Sequence, residues 1–346
     1  MEYIDVAVIG GGQSGLAAAH ALLGRGLRPV VLEAAGRAAG AWPHYYDSLT
    51  LFSPARYSSL PGMPFPGADG DRYPHRDEVV AYLTAYADRL DADIRTAQRV
   101  TSVRRAGSAF EVVLEGGGRL RARAVIAAHR PALPGLAEFT GQVLHAAEYR
   151  SPVPFTGGRL VVVGAGNSAV QIAAELAGTA RVTLATRGPV QFAAQRILGR
   201  DLHFWTARTG LDIAPLGRLL RRPPGQPVLD DGRYRTALAA GRPDRRPLFT
   251  GADGAELIWP DGQREEVDAV VLATGYRPDL PYLTGLGGAL DADGSPRHRE
   301  GLATEVPGLA FVGLEWQRSL SSNSLRGVGR DAERIARRVA ARLVCR

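Results

Sequence analysis

Gly10, Gly12 and Gly15 lie between an apolar run, Asp5-Val6-Ala7-Val8-Ile9, and an Ala/Leu run that starts near Ser14. In a strand–turn–helix unit each glycine has its own task. Gly10 allows the tight turn, Gly12 lets a pyrophosphate approach the backbone, and Gly15 lets the helix pack on the strand. The start of that helix offers free N–H groups and a partial positive charge, worth about 0.3–2 kcal/mol towards an anion. Gln13 and Ser14 occupy that start and are candidate binding residues. The helix is expected to end near Gly24-Arg25-Gly26. A second strand, Pro29-Val30-Val31-Leu32, then runs into Glu33, whose carboxylate can accept ribose hydroxyls.

The same unit occurs again. Arg159-Leu160-Val161-Val162-Val163 leads into Gly164-Ala165-Gly166-Asn167-Ser168-Ala169 and a helical run to Leu176. Its second strand, Arg181-Val182-Thr183-Leu184-Ala185-Thr186, ends at Arg187. Gly10 to Glu33 and Gly164 to Arg187 are both 23 residues, which marks an internal duplication in register. The two copies differ where they discriminate between ligands. Glu33 bonds ribose hydroxyls and repels a 2′-phosphate, whereas Arg187 pairs with one. The first site therefore suits FAD and the second NADPH, with Gly164, Gly166, Asn167 and Ser168 as the second cradle.

The elements that position these turns follow from the rest of the pattern. Residues 121–126 form a strand entering Ala127-Ala128-His129-Arg130-Pro131-Ala132-Leu133-Pro134, and residues 268–273 form one entering Thr274-Gly275-Tyr276-Arg277-Pro278-Asp279-Leu280-Pro281. Both carry R-P-x-L-P after a buried strand and read as paired, semi-rigid crossover links. The expected fold is α/β with two Rossmann-like dinucleotide-binding domains, the NADPH domain inserted into the FAD domain. Residues 1–134 form the first part of the FAD domain, 135–273 the NADPH domain with its linkers, and 274–346 the final part of the FAD domain. Glu111–Leu114, three glycines and the strand after Arg119 read as a hairpin. Residues 206–254, rich in Pro, Gly and Arg, are expected to be loop with short helices. Ala332, Ile335, Ala336, Val339, Ala340, Leu343 and Val344 repeat at helical spacing and predict a closing helix, with a membrane-surface helix as the alternative.

Composition narrows the classes. With 346 residues, 45% of them hydrophobic, the chain has ample core for two domains. A single cysteine, Cys345, excludes an intrachain disulfide, a CxxC redox pair and a cysteine zinc site; no metal site is expected. Every one of the 42 basic residues is Arg and the net charge is +7, yet the arginines are scattered, which argues against nucleic-acid binding. No apolar run is long enough for a membrane span, and the start of the chain reads as a strand and not as a signal peptide. A cytoplasmic location is expected. The pattern leaves the oligomeric state open.

Further elements carry a family resemblance: Phe139-Thr140-Gly141 followed by His145 and Tyr149 (F-x-G-x-x-x-H-x-x-x-Y), Gly40-Ala41-Trp42, Asn167-Ser168, Ala-Thr-Gly-Tyr at 273–276, and Pro307 to Leu314. With the duplicated glycine turns, the chain resembles the class B flavin-dependent monooxygenases, which include flavin-containing monooxygenases, Baeyer–Villiger monooxygenases and the YUCCA-type enzymes. The resemblance implies that NADPH reduces FAD, that the flavin captures O₂ as a C4a-hydroperoxide, and that one oxygen passes to a small organic substrate. Tyr149-Arg150 looks like the branch that oxygenates N or S, because the Baeyer–Villiger fingerprint has Trp there. Trp42, Ala128, Thr274, Gly275, Tyr276 and Gly313 are carried over as cofactor-binding positions. His145 is a candidate for direct acid–base chemistry or for tuning the link between domains. The segment Leu49–Tyr57 lacks the Asn that many flavin-containing monooxygenases place beside the flavin, so Ser53 and Asn323 are candidate substitutes. A further departure is Ala128-His129, where relatives have Thr-Gly. Phe192, Phe204 and Trp205 line a substrate channel or pack in the core.

Two rival readings remain at this point. One is an NAD(P)H-dependent flavoprotein reductase or oxidase without oxygenation; the other is a non-catalytic flavin-binding sensor. A disulfide reductase is disfavoured, because the cysteine pair is missing and Gly313-Leu314 stands where that class closes with Gly-Asp.

Overall fold

The computed structural model describes residues 1–128, 130–132, 139–217, 225–275 and 277–344. Tyr276, His129, Cys345, the pair Arg221-Arg222 and the expected boundary after Pro134 lie outside these residues.

The chain first builds β1 (Glu2–Ile9), α1 (Gln13–Leu23), β2 (Pro29–Leu32), α2 (Arg76–Arg89), β3 (Asp93–Arg95), β4 (Val100–Ala106), β5 (Ala109–Leu114) and β6 (Arg119–Ala128). It then leaves for a second sheet: β7 (Gln142–His145), β8 (Arg159–Val163), α3 (Asn167–Leu176), β9 (Arg181–Thr186), α4 (Leu202–Thr209), α5 (Arg233–Ala239), β10 (Asp244–Pro247) and β11 (Ala269–Leu272). It returns to the first sheet as β12 (Leu309–Val312) and closes with α6 (Leu325–Val344). The second unit is thus an insertion in the first.

In the first sheet the parallel strands run in the order β12-β6-β1-β2-β3, with the β4–β5 hairpin added antiparallel to β6 and a short antiparallel pair beyond β12. The second sheet is parallel throughout, in the order β10-β9-β8-β11-β7. Both faces of each sheet are covered, which is why their central strands are nearly continuous runs of Val, Ile, Leu and Ala. Alternate residues of β1 divide accordingly. Val6 and Val8 pack under α1, α2 and α6, and Ala7 and Ile9 pack under the hairpin and residues 280–289. In the second unit Leu160 and Val162 pack under α3, while Val161 and Val163 meet Trp259 on the opposite face.

The two crossover links touch each other. Arg130–Ala132 and Arg277–Asp279 pair antiparallel, with Pro278 opposite Pro131. One region departs from expectation. Within 206–254, Asp244–Pro247 is an ordered edge strand, although its charged sequence has no apolar run. The edge position explains this, since Pro is tolerated there and charged side chains can occupy it, with Arg245 exposed and Asp244 and Arg246 half-buried. Asp244 accepts a hydrogen bond from the Thr183 hydroxyl at 2.8 Å, and Arg246 lies 4.2 Å over the Trp259 ring. The C-terminal helix buries Ile335, Ala336, Val339 and Leu343 in the core shared with α1, so its apolar face is already covered by the protein.

Candidate functional site

Each glycine turn lies where its sheet changes direction, at the carboxyl ends of the strands, which is where open α/β sheets bind ligands. Gly10 has φ +103°, and a side chain there would come within 2.9 Å of the Ala128 carbonyl oxygen at the end of β6. Gly164 has φ +141° and meets Ala273, at the end of β11, in the same way. The turns are therefore structural copies as well as sequence copies. Neither α1 nor α3 has a side-chain cap at its first turn: Gly12 and Gly166 hold the cap positions in extended conformation. The backbone donors at each helix start thus face the crevice beside the turn, as an anion site requires.

The first unit is tightly closed. Glu33 is buried, and its carboxylate accepts the Gly11 N–H at 2.6 Å and the Ala35 N–H at 2.7 Å. It thereby ties the turn to the end of β2, with a lone pair on each oxygen left for further donors. Gly15 lies directly against the Gly10 carbonyl, where an added methyl would overlap that oxygen. Gly313 rests on the Ser14 side chain with the same lack of room. The Trp42 indole donates to Gln13 Oε1 at 3.0 Å, and Gln13 Nε2 donates to the Asn323 carbonyl oxygen at 2.7 Å. Residues from three distant parts of the sequence thus meet over the start of α1. Ser53 is placed differently, because its hydroxyl is bonded to that of Ser58 at 2.9 Å within its own loop.

The second unit is more open. Gly166 has nothing within 4 Å of where a side chain would begin, and Ala165 is exposed. Asn167 Oδ1 accepts the Leu229 N–H at 3.1 Å, which holds the segment 226–230 beside α3. Ser168 follows in the first turn of the helix. Arg187 is exposed at the end of β9, and no carboxylate among the described residues pairs with it. Thr274 is exposed, and Gly275 (φ +93°) begins the return link.

His145 joins this unit to that link. It ends β7 opposite Leu272, is buried, and accepts the Ala147 N–H at Nδ1 at 3.0 Å. Burial lowers its pKa, opposed by the Glu148 charge and by a hydrogen bond with the Gly275 backbone. The ring is therefore held neutral, with its proton on Nε2. Tyr149 is fully buried, and its hydroxyl donates to Glu175 on α3 at 2.9 Å; burial and the Glu175 carboxylate raise its pKa. The Tyr46 hydroxyl bonds Gln171 on the same helix, so the loop carrying Trp42 is anchored to the second unit.

A polar cluster that the sequence pattern did not single out joins the loop 52–73 to the segment before α4. Asp201 accepts from Tyr73 Oη at 2.6 Å, Gln195 Nε2 at 2.6 Å and the His203 backbone N–H at 2.8 Å. Burial pushes the Asp201 carboxyl up, but the bonds from His203, Tyr73 and Gln195 outweigh it and hold the group below its ordinary value. The Tyr73 phenol is pushed up to about 12, by burial first and then by Asp201. His203 is flanked by the rings of Phe52 and Tyr57. Phe204 packs edge-on against Trp205 at 5.1 Å, while Phe192 packs with the core around α3. Among the described residues no group of His, Cys, Asp and Glu could hold a metal ion, and no helix is long and apolar enough to cross a membrane.

Comparison with known proteins bears on this geometry. Residues 7–208 match the pyridine nucleotide-disulphide oxidoreductase family. An uncharacterized CzcO-like oxidoreductase of Geobacillus kaustophilus is 31% identical over 340 residues, 95% of this chain and 96% of that protein. The indole-3-pyruvate monooxygenase YUCCA1 of Oryza sativa subsp. japonica is 32% identical over 353 residues, 86% of this chain and 85% of that one. A solved flavin-containing monooxygenase from Stenotrophomonas maltophilia superposes with a TM-score of 0.85 at 34% identity, covering 99% of this chain and 100% of the other. The chain belongs to the class B flavin-dependent monooxygenases. For a flavin monooxygenase the duplicated turns have a plain meaning, since the family uses FAD and NADPH together. The α/β fold with two dinucleotide-binding units, one inserted in the other, is that of the family.

Proposed function

We propose that this flavin monooxygenase uses NADPH to reduce FAD and transfers one oxygen atom of O₂ to a nitrogen or sulfur centre of a small organic substrate. The carrying observation is the contrast between the two turns: one is backed by the buried Glu33, and the other ends at the exposed Arg187, with which no carboxylate among the described residues pairs.

In this reading Gly10, Gly12, Gln13, Ser14 and Gly15 hold the FAD pyrophosphate on the start of α1, and the free lone pairs of Glu33 accept the adenosine ribose. Trp42, Gln13 and Asn323 brace the crevice between α1 and α6, and Gly313 and Ala128 leave it room. In the second unit Gly164, Gly166, Asn167 and Ser168 take the NADPH pyrophosphate, and Arg187 takes the 2′-phosphate as a charge-assisted pair. Thr274 and Gly275 lie at the mouth between the units. When bound, the flavin supplies the redox and oxygen chemistry, and the protein supplies orientation and exclusion of water. His145 acts as a positioning residue: buried and accepting the Ala147 N–H at Nδ1, it fixes the link and transfers no proton. Ser53, bonded to Ser58, has the same supporting role in its loop. The preference for N or S oxygenation rests on Tyr149-Arg150 standing where the Baeyer–Villiger fingerprint has Trp, while Tyr46, through Gln171, anchors the Trp42 loop on α3. The domain division at residues 134 and 273 follows from the same reading.

The test is product balance. With NADPH, O₂ and a panel of amines and thioethers, oxygenated product should form in proportion to NADPH consumed. Stoichiometric H₂O₂ with every substrate would overturn the reading in favour of a flavoprotein oxidase. Flavin that stays oxidised under NADPH would favour a sensor.

A further inference from the structure

The solvent side of α6 carries a second basic feature, outside both glycine turns. Arg326, Arg330, Arg334 and Arg337 fall within one narrow arc of the helix, along about 16 Å of its axis. Arg318 completes the row from the preceding loop, and Leu60 and Pro61 form the floor of a groove of about 540 Å³. Glu333 is the one acidic residue in the lining, and it pairs with Arg25.

The five guanidinium groups are not alike. Two are fixed from behind by buried carboxylates: Arg318 Nε donates to Asp331 at 2.7 Å, and Arg326 Nε donates to Asp212 at 2.5 Å. Arg334 is bonded to Glu300. Arg330 and Arg337 are exposed, and no carboxylate among the described residues pairs with either. The groove therefore combines pre-positioned donors with two unbalanced charges. Along the helix its wall is a row of guanidinium groups, which offers N–H donors above the Leu60–Pro61 floor. Arginine forks match phosphate oxygens bidentately.

We propose that this groove binds a linear oligophosphate, at a site separate from both nucleotide cradles. Each phosphate would meet one guanidinium pair along the helix, and at least two negative charges are needed to balance Arg330 and Arg337. The site does not depend on the assignment of NADPH to the second unit.

Titration calorimetry on the full-length, FAD-loaded protein with inorganic tripolyphosphate tests it. With the second cradle saturated by NADP⁺, one site per chain is expected. The double variant Arg330→Ala/Arg337→Ala should weaken it by roughly tenfold or more. Both side chains are exposed and have no carboxylate partner among the described residues, so retained FAD and an unchanged melting curve should accompany that loss. Arg187→Ala should leave the affinity unchanged. No binding at low salt, equal affinity in the double variant, or loss of binding in Arg187→Ala alone would each overturn the proposal. Binding confined to polyglutamate, or to vesicles of anionic phospholipid, would overturn it equally.

Discussion

The two nucleotide units share a strand, a turn, a helix and a 23-residue offset, yet they are built to different tolerances. In the first, Gly15 lies against the Gly10 carbonyl, Glu33 is buried in the turn, and Gly313 sits on Ser14. In the second, Ala169 occupies the place of Gly15, Gly166 is open, and an exposed arginine stands at the position of Glu33. The lesson is one of lifetime. A cradle whose turn is tightly packed suits a cofactor that stays, whereas a looser one with a charged rim suits a coenzyme that must enter and leave on every turnover.

That contrast can be broken from either side. The largest effect is expected for Gly15→Ala, because the added methyl meets a backbone oxygen that has nowhere to go. The cost should be about 3 kcal/mol or more, with loss of FAD, read by thermal denaturation and flavin absorbance. The reciprocal Ala169→Gly should cost less, about 1–2 kcal/mol, from glycine in a helix plus the loss of one buried methyl. Equal effects would mean that the two turns are not differently packed.

Next comes Glu33→Ala, which leaves the Gly11 N–H without its buried partner. A loss of about 2–3 kcal/mol in stability is expected, with FAD released on gel filtration. Arg187→Ala sharpens the comparison because it should spare stability altogether. Its expected effect is a fall of roughly 10–100-fold in the preference for NADPH over NADH, from one charged contact of about 1.5–3 kcal/mol. Steady-state kinetics with the two coenzymes reads it directly.

The smallest effect concerns pH. His145 has a lowered pKa in the folded protein, chiefly through burial, against an ordinary value of 6.5. The unfolded chain therefore binds this proton first as the pH falls. The contribution is fully present above about 6.5 and is lost as the pH drops towards the folded value. Melting temperatures from pH 7 to pH 5 should fall less steeply in His145→Asn, whose amide oxygen can still accept the Ala147 N–H. An unchanged slope would show that the imidazole is not held neutral.

Much of this architecture is legible in the sequence. Glycines at fixed offsets have a backbone meaning independent of the surrounding fold, so both turns, Glu33 and Arg187 could be read directly. The two R-P-x-L-P segments likewise announced the paired links that join as a ribbon. What stayed hidden depends on contacts distant in sequence. Gln13, Trp42 and Asn323 each stood out separately, but their hydrogen bonds span up to 310 positions. The Asp201 cluster had no signal, because Tyr73, Gln195 and His203 are ordinary polar residues until the fold converges them. The edge strand Asp244–Pro247 has no apolar signal in the sequence, because an edge strand need not be apolar.

The central claim is that the two cradles take different nucleotides. Anaerobic mixing of the FAD-loaded protein with NADPH or NADH, for wild type and Arg187→Ala, tests it most directly. The account predicts that NADPH bleaches the oxidised flavin faster than NADH in the wild type, and that the variant loses the difference. Equal rates with both coenzymes in the wild type, or an undiminished NADPH advantage in the variant, would contradict it.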